Sequence, residues 1–170
     1  MNTQVRIRQA TRDDLIAMEW EGQYTHFRRM YAEAYRLTQQ GEAIMWVADL
    51  PGREIIGQVF VSLSSNRPEL ADGSHSAYIY GFRVRPAYQG QGIGSAMMKV
   101  VEKDLFRRGF RKITLNVSRD NSKAIRLYLY LGYHIAAADP GRWYYFDQNG
   151  QRQDVNEPAW RMEKWLPEMG

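Results

Sequence analysis

Val84-Arg85-Pro86-Ala87-Tyr88-Gln89-Gly90-Gln91-Gly92-Ile93-Gly94 is the stretch on which the reading of this chain turns. It leaves a strand-like run, Ser76 to Val84, in which period-two alternation puts Tyr78, Tyr80, Phe82 and Val84 on one face. It enters a helical run in which Ile93, Met97, Val101 and Leu105 recur every four residues, with Gly109 as the stop. Free backbone N–H groups and the positive end of a helix dipole therefore converge on the loop, and an anion belongs there. Glycines at 90, 92 and 94 remove Cβ atoms, so the main chain can approach a bulky ligand closely. Arg83, Arg85 and Lys123 are candidates for charge-assisted contacts to phosphates. A nucleoside triphosphate is disfavoured, because that loop needs Lys directly after its last glycine and Gly94 is followed by Ser95 and Ala96. A dinucleotide fingerprint would need glycine where Ser95 stands, and an early strand-helix-strand unit.

Outward from the loop the signals alternate. Val5 and Ile7 alternate with Arg6 and Arg8, a short strand, and Thr11 with Asp13 and Asp14 reads as a helix start. Leu15 to about Gln40 is helix-forming, interrupted near Glu21-Gly22 and ended at Gly41, which predicts two helices. Ile44–Asp49 and Glu54–Ser64 read as a hairpin across Leu50-Pro51-Gly52-Arg53. Ile113, Leu115 and Val117 mark a further strand, and Asp120-Asn121 caps a helix carrying Ala124, Leu127, Tyr128 and Leu131 on one stripe, closed by Gly132. The tail reads as Tyr133–Ala138, Trp143–Asp147, an Asn149-Gly150 hairpin signal and a last strand, Ala159–Leu166. The order β-α-α-β-β-β-α-β-α-β-β predicts a mixed α/β fold.

With 170 residues, 44% of them hydrophobic and 25% charged, the chain reads as one globular domain over residues 1–170. The longest apolar stretch, Ala43 to Ala48, is far short of the ~20 residues of a bilayer crossing, and the N-terminus (Asn2, Thr3, Gln4, Arg6, Arg8) is polar, so a cytoplasmic protein with no membrane partner is expected. The absence of cysteine excludes disulfides, thiolate metal sites and a Cys nucleophile. The net charge of +4 is scattered, with no basic stripe interleaved with stacking aromatics, so no nucleic-acid partner is expected. Three histidines without ligand spacing lead us to expect no metal.

The loop, matching from Gln89 to Gly94, resembles the acetyl-coenzyme A loop of the GCN5-related N-acetyltransferases, the GNAT family. A second block, Asn121-Ser122-Lys123-Ala124-Ile125-Arg126-Leu127-Tyr128 followed by Leu131-Gly132-Tyr133, is similar to that family's Asn-x-x-Ala-x-x-Leu-Tyr helix with its Gly-aromatic exit. The specific motifs lie within residues 82–133. The resemblance implies a mixed, mostly antiparallel central sheet of about seven strands flanked by about four helices. It implies acetyl-CoA as the acetyl donor and direct transfer to a primary amine of a small molecule, protein or peptide, with a homodimer allowed. The alternative is a non-catalytic acyl-CoA sensor or regulatory module.

Residue by residue, the resemblance implies that the strand before the loop splays from its neighbour and offers backbone groups of Phe82, Arg83 and Val84 to the pantetheine arm, with Gly81 suited to the bulge that opens the gap. It puts the pyrophosphate on the N–H groups of Gln89, Gly90, Gln91, Gly92, Ile93, Gly94 and Ser95, with Asn121 helping to hold the coenzyme, although Asn121 reads equally as a helix cap. Tyr128 is the implied acid for the departing thiolate, against a packing role on its apolar stripe, while Tyr130 faces elsewhere. Where some relatives carry a basic carboxylate this chain has Asn116, which leaves Tyr78 or Tyr80 through a water, His75, or Glu21 as candidate bases. The acceptor is expected between Trp20–Tyr31 and the C-terminal strands, near Tyr24, Phe27, Tyr31, Trp143, Tyr144 and Tyr145, with Glu19, Glu21 and Glu33 suited to a cationic amine.

Overall fold

The computed structural model describes residues 4–52 and 54–167, so Asn2 and Thr3 of the N-terminus and Arg53 of the Leu50–Arg53 turn lie outside the described residues. Among the described residues nine strands and four α-helices follow one another as β1 (Arg6–Gln9), α1 (Asp14–Ala17), α2 (Arg28–Gln39), β2 (Ala43–Leu50), β3 (Glu54–Ser62), β4 (Ser76–Val84), α3 (Ile93–Arg107), β5 (Lys112–Ser118), α4 (Ser122–Tyr130), β6 (His134–Asp139), β7 (Arg142–Phe146), β8 (Arg152–Asn156) and β9 (Ala159–Trp165). Seven of the strands form one sheet in the order β1-β2-β3-β4-β5-β9-β6. Every neighbouring pair is antiparallel except β4–β5. The mixed, mostly antiparallel α/β architecture expected from the motifs is therefore present.

Alternation along the sheet sorts the core into two layers. Ile44, Trp46, Ala48 and Leu50 of β2 face Ile93, Met97, Val101 and Leu105 of α3, whereas Met45 and Val47 face Met18, Tyr31 and Ala34 on the other side. On the α3 face, the buried Glu102 carboxylate accepts from the Tyr133 hydroxyl (3.1 Å) and from Lys164 Nζ (2.9 Å). That network ties α3 to β9 and to the exit of α4.

Three sequence expectations are corrected. The first predicted helix is a single turn, α1, because Trp20, Glu21 and Gly22 follow it in the left-handed region (φ 47°, 56° and 100°) and turn the chain away. The strand read at Trp143–Asp147 lies outside the main sheet, forming with β8 a separate ribbon closed at Asn149-Gly150. Most consequential, Tyr78, Tyr80, Phe82 and Val84 do not share a face. Between the pairs Phe60↔Tyr80 and Gln58↔Arg83, two steps along β3 span three along β4. The extra residue is the bulge expected at Gly81, whose carbonyl accepts from Gln58 Nε2 at 3.1 Å. Beyond the bulge Phe82 and Val84 join the α3 side, while Tyr80 packs on the opposite side.

The bulge admits only glycine without rearrangement. A Cβ at 81 would lie 2.8 Å from Phe60 Cδ2, at a φ of +63°. Gly81→Ala is expected to destabilise the protein by about 2 to 3 kcal/mol, combining the left-handed cost with displacement of a core ring. At this chain length that lowers the melting temperature by about 4 to 12 °C; an unchanged thermal scan would show that the bulge tolerates a side chain.

Candidate functional site: two cavities at a split in the sheet

The parallel pairing of β4 with β5 runs only from Ser76↔Lys112 to Ile79↔Leu115. Beyond it β4 stays paired to β3 as far as Val84 and β5 to β9 as far as Ser118, so the facing edges of β4 and β5 diverge without pairing. A cavity opens on each side of the sheet at this split, one of about 640 Å³ and one of about 480 Å³, and Arg83 lines both.

The larger cavity is built by the end of β4, the glycine loop and the first turns of α3 and α4. Gly92, at φ +82°, is the N-cap of α3, and the first intrahelical bond runs from the Ala96 N–H to the Gly92 carbonyl (3.0 Å). The N–H groups ahead of it are left to meet a ligand. Phe82, Arg83, Val84, Gln89, Gly90, Gly92, Ile93, Gly94, Ser95, Asn121 and Tyr128 line this cavity, and Gln91 alone of the predicted coenzyme residues does not. A Cβ at 94 would lie 3.1 Å from Phe82 Cζ, so the absence of a side chain there keeps the floor open. Gln89 donates to the Val84 carbonyl (2.9 Å) and accepts from Lys123 Nζ (2.6 Å), which puts a cation across the cavity mouth. Asn121 does cap α4, accepting from the Ala124 N–H at 3.2 Å, while also lining the cavity.

Tyr128 is 8% exposed on the inner face of α4, its ring against Phe82 and Tyr133 at centroid separations of 6.2 and 5.9 Å. Burial, with Tyr78 nearby adding to it, pushes its pKa above the ordinary phenol value. The hydroxyl therefore stays protonated at neutral pH and is a donor. Tyr130, by contrast, is 82% exposed, facing away as read from the sequence.

The smaller cavity lies on the α2 side, between Phe27, Tyr31, Tyr78, Tyr80, Asn116, Asp139 and the start of β7. The Tyr78 and Tyr80 rings stack 5.7 Å apart, and burial pushes both pKa values up to about 12. Asp139, which sequence reasoning did not single out, is 3% exposed and ion-paired to Arg67 at 2.7 Å. Burial by itself raises its pKa, but Arg67, the Gly141 N–H and the Asn116 amide together hold it below the ordinary carboxylate value. The Asn116 Oδ1 itself is buried without a partner.

Several expected roles are reassigned by contacts. Arg85 does not reach for phosphate: it makes a bidentate pair with Glu21 (2.8 and 3.1 Å) and a second pair with Glu54 (3.3 Å). Glu19 is held by Arg28 and Thr25, and Glu33 by Arg36, so none of the three predicted glutamates lines the smaller cavity. His75 packs edge-on against Trp165, 5.4 Å away at the far end of β4. Of the aromatics expected around the acceptor, Phe27, Tyr31 and Trp143 line the smaller cavity, Tyr24 lines the larger one, and Tyr144 is exposed beneath Arg152. Among the described residues no group of three or more His, Asp or Glu is placed to hold a metal ion, and no helix is long and apolar enough to cross a membrane.

Residues 9–133 match the family model described as "Acetyltransferase (GNAT) family". Three solved structures with this fold are the ribosomal-protein-S18-alanine N-acetyltransferase of Escherichia coli, Arabidopsis thaliana NAA60 in complex with acetyl-CoA, and the spermidine/spermine N-acetyltransferase SpeG of Vibrio cholerae. Their TM-scores are 0.70, 0.71 and 0.70 at 22%, 20% and 19% identity. The matches cover 98%, 95% and 97% of this chain and 96%, 98% and 94% of theirs. The first is named for a protein alanine and the third for a polyamine, so the shared fold does not choose an acceptor.

Proposed function

The chain belongs to the GNAT family of acetyltransferases, and on that premise we propose that it transfers the acetyl group of acetyl-CoA to a primary amine, with the donor in the larger cavity and the acceptor in the smaller. The observation that carries this reading is the split between β4 and β5, which brings the two cavities together at Arg83. The N–H groups of Gln89 to Ser95 suit the pyrophosphate, with Lys123 and Asn121 beside them. The unpaired edge of Phe82 to Val84 suits an arm rich in amides, which would fill the place of a missing strand.

Transfer forms a bond from the amine nitrogen to the acetyl carbon and breaks the carbon–sulfur bond. The thiolate takes a proton from the Tyr128 hydroxyl, the proton lost by the amine leaves to water, and water returns a proton to the Tyr128 oxygen. Backbone N–H near Val84 suits the developing oxyanion, so no dedicated side chain is required. Asp139, held as a carboxylate by Arg67, is a weak base and a strong hydrogen-bond acceptor. With no cysteine in the chain, transfer does not pass through an enzyme thioester.

Acetyl-CoA at about 100 times its dissociation constant stabilises the folded state by about 2.7 kcal/mol, which should raise the melting temperature by about 5 to 11 °C. Gly92→Val places a β-branched residue at φ +82° and should abolish that rise in protein that still folds. A wild-type scan that does not move with saturating acetyl-CoA would count against the donor site.

A further inference from the structure

We propose that the acceptor is a free α-amino acid with an apolar or aromatic side chain, recognised through its carboxylate by Arg83. The inference rests on the acetyl-transfer reading above and narrows its acceptor. Arg67, Arg83, Arg142, Asp139 and Glu157 are the charged residues that line the smaller cavity, and Arg67 is engaged by Asp139 (2.7 Å) and, from outside the lining, by Glu69 (2.8 Å). Neither Arg83 nor Arg142 has an ion-pair partner among the described residues.

Arg83 is the more telling of the two. Its guanidinium lies 3.4 Å from the Tyr24 ring centroid, with Trp20 at 5.3 Å, and donates to the Tyr31 hydroxyl, so it is fixed in an aromatic cage where the two cavities meet. Its Nε is buried with no hydrogen-bond partner. A cation without a counter-ion on the wall of a cavity calls for an anionic group on the ligand that enters it. Asn116, whose Oδ1 also lacks a partner, lines the same cavity. A carboxylate beside an amine on one molecule supplies the anionic group.

The position of Arg83 limits how far apart those groups stand. Because it borders the donor cavity, a carboxylate on it lies close to the nitrogen that must reach the acetyl carbon, as in an α-amino acid and unlike a polyamine or a lysine side chain. The remaining wall is apolar and aromatic, with Phe27, Met30, Leu70 and Trp143 ready to take a side chain of the same kind.

The test measures thiol release from acetyl-CoA with phenylalanine, leucine and methionine, each beside its carboxamide and its decarboxylated amine, with rates corrected for the fraction of neutral amine. The free amino acid should exceed both analogues in kcat/KM by about 10- to 150-fold, the span of a charge-assisted hydrogen bond. Arg83→Gln should collapse that preference to within about threefold, and Arg83→Lys, which keeps the charge but loses the planar fork, should recover part of it. Carboxamides accepted as well as the free acids would overturn the proposal in favour of a peptide N-terminus. Decarboxylated amines accepted equally well would overturn it in favour of simple amines. If no member of the panel is acetylated the proposal fails, and the melting-temperature response to acetyl-CoA reports separately whether the donor site stands. These comparisons use the wild-type protein, so the outcome does not depend on the Arg83 variants folding.

Discussion

Replacing Tyr128 with Phe is expected to slow acetyl transfer by about 10²- to 10⁴-fold, the contribution of a positioned general acid. The substitution keeps the ring between Phe82 and Tyr133 and removes only the hydroxyl. Packing is therefore preserved, so the melting temperature should stay close to that of the parent. Donor affinity should hold as well, because the loop and the β4 edge are untouched. The hydroxyl is suited to the task because it is a proton donor at neutral pH and lies on the wall of the larger cavity. Steady-state turnover with a confirmed acceptor, where chemistry limits the rate, decides the matter. A loss below tenfold would identify solvent as the source of the proton, and wild-type turnover would return Tyr128 to a packing role.

Local signals carried the larger cavity. Glycine spacing, the strand before it and the helix after it are consecutive in the chain, so the loop, the cap at Asn121 and the inward face of Tyr128 were all legible before any tertiary contact was known. Even there, periodicity misplaced Phe82 and Val84, because alternation assumes one residue per step and the Gly81 bulge inserts an extra one. The bulge is readable as a glycine, but a period-two pattern does not carry its effect to the residues after it.

The smaller cavity depended on pairings that no local pattern contains. Asp139 reaches the cavity because β6 and β5 both pair with β9, which brings Ala137 and Asn116 opposite the same residue, Arg161. The carboxylate absent at 116 is thus supplied two residues beyond 137, from a strand assigned only a generic tail. Charges misled for the same reason. Arg85 and Glu21 were read separately as a phosphate contact and an acceptor contact, yet they are 64 positions apart in sequence and 2.8 Å apart in space. The left-handed run Trp20-Glu21-Gly22 makes that pair possible, and helix propensity alone does not anticipate it.

The second large effect is expected at Gly141, where β6 passes into β7 beside the smaller cavity. Its N–H donates to Asp139 Oδ1 (2.8 Å), and its carbonyl accepts from the Glu157 N–H (3.0 Å), so one residue joins the Asp139 carboxylate to the strand that returns past it. A Cβ built there lies 1.7 Å from the Glu157 carbonyl oxygen, at a φ of +66°. Real Cβ contacts do not fall under 3.0 Å, so Gly141→Ala must drive the two backbones apart by at least the 1.3 Å between those values. The obstacle is main chain and cannot rotate away. Asp139 and the cavity wall move with it, and a displacement of that size at a substrate-positioning group costs about 10²-fold in rate. The loss should fall on kcat/KM for the amine. The larger cavity shares no residue with this turn, so the rise in melting temperature with acetyl-CoA should persist in Gly141→Ala even though its starting melting temperature is lower. A folded Gly141→Ala variant that loses the acetyl-CoA response would overturn the assignment of the donor to the larger cavity.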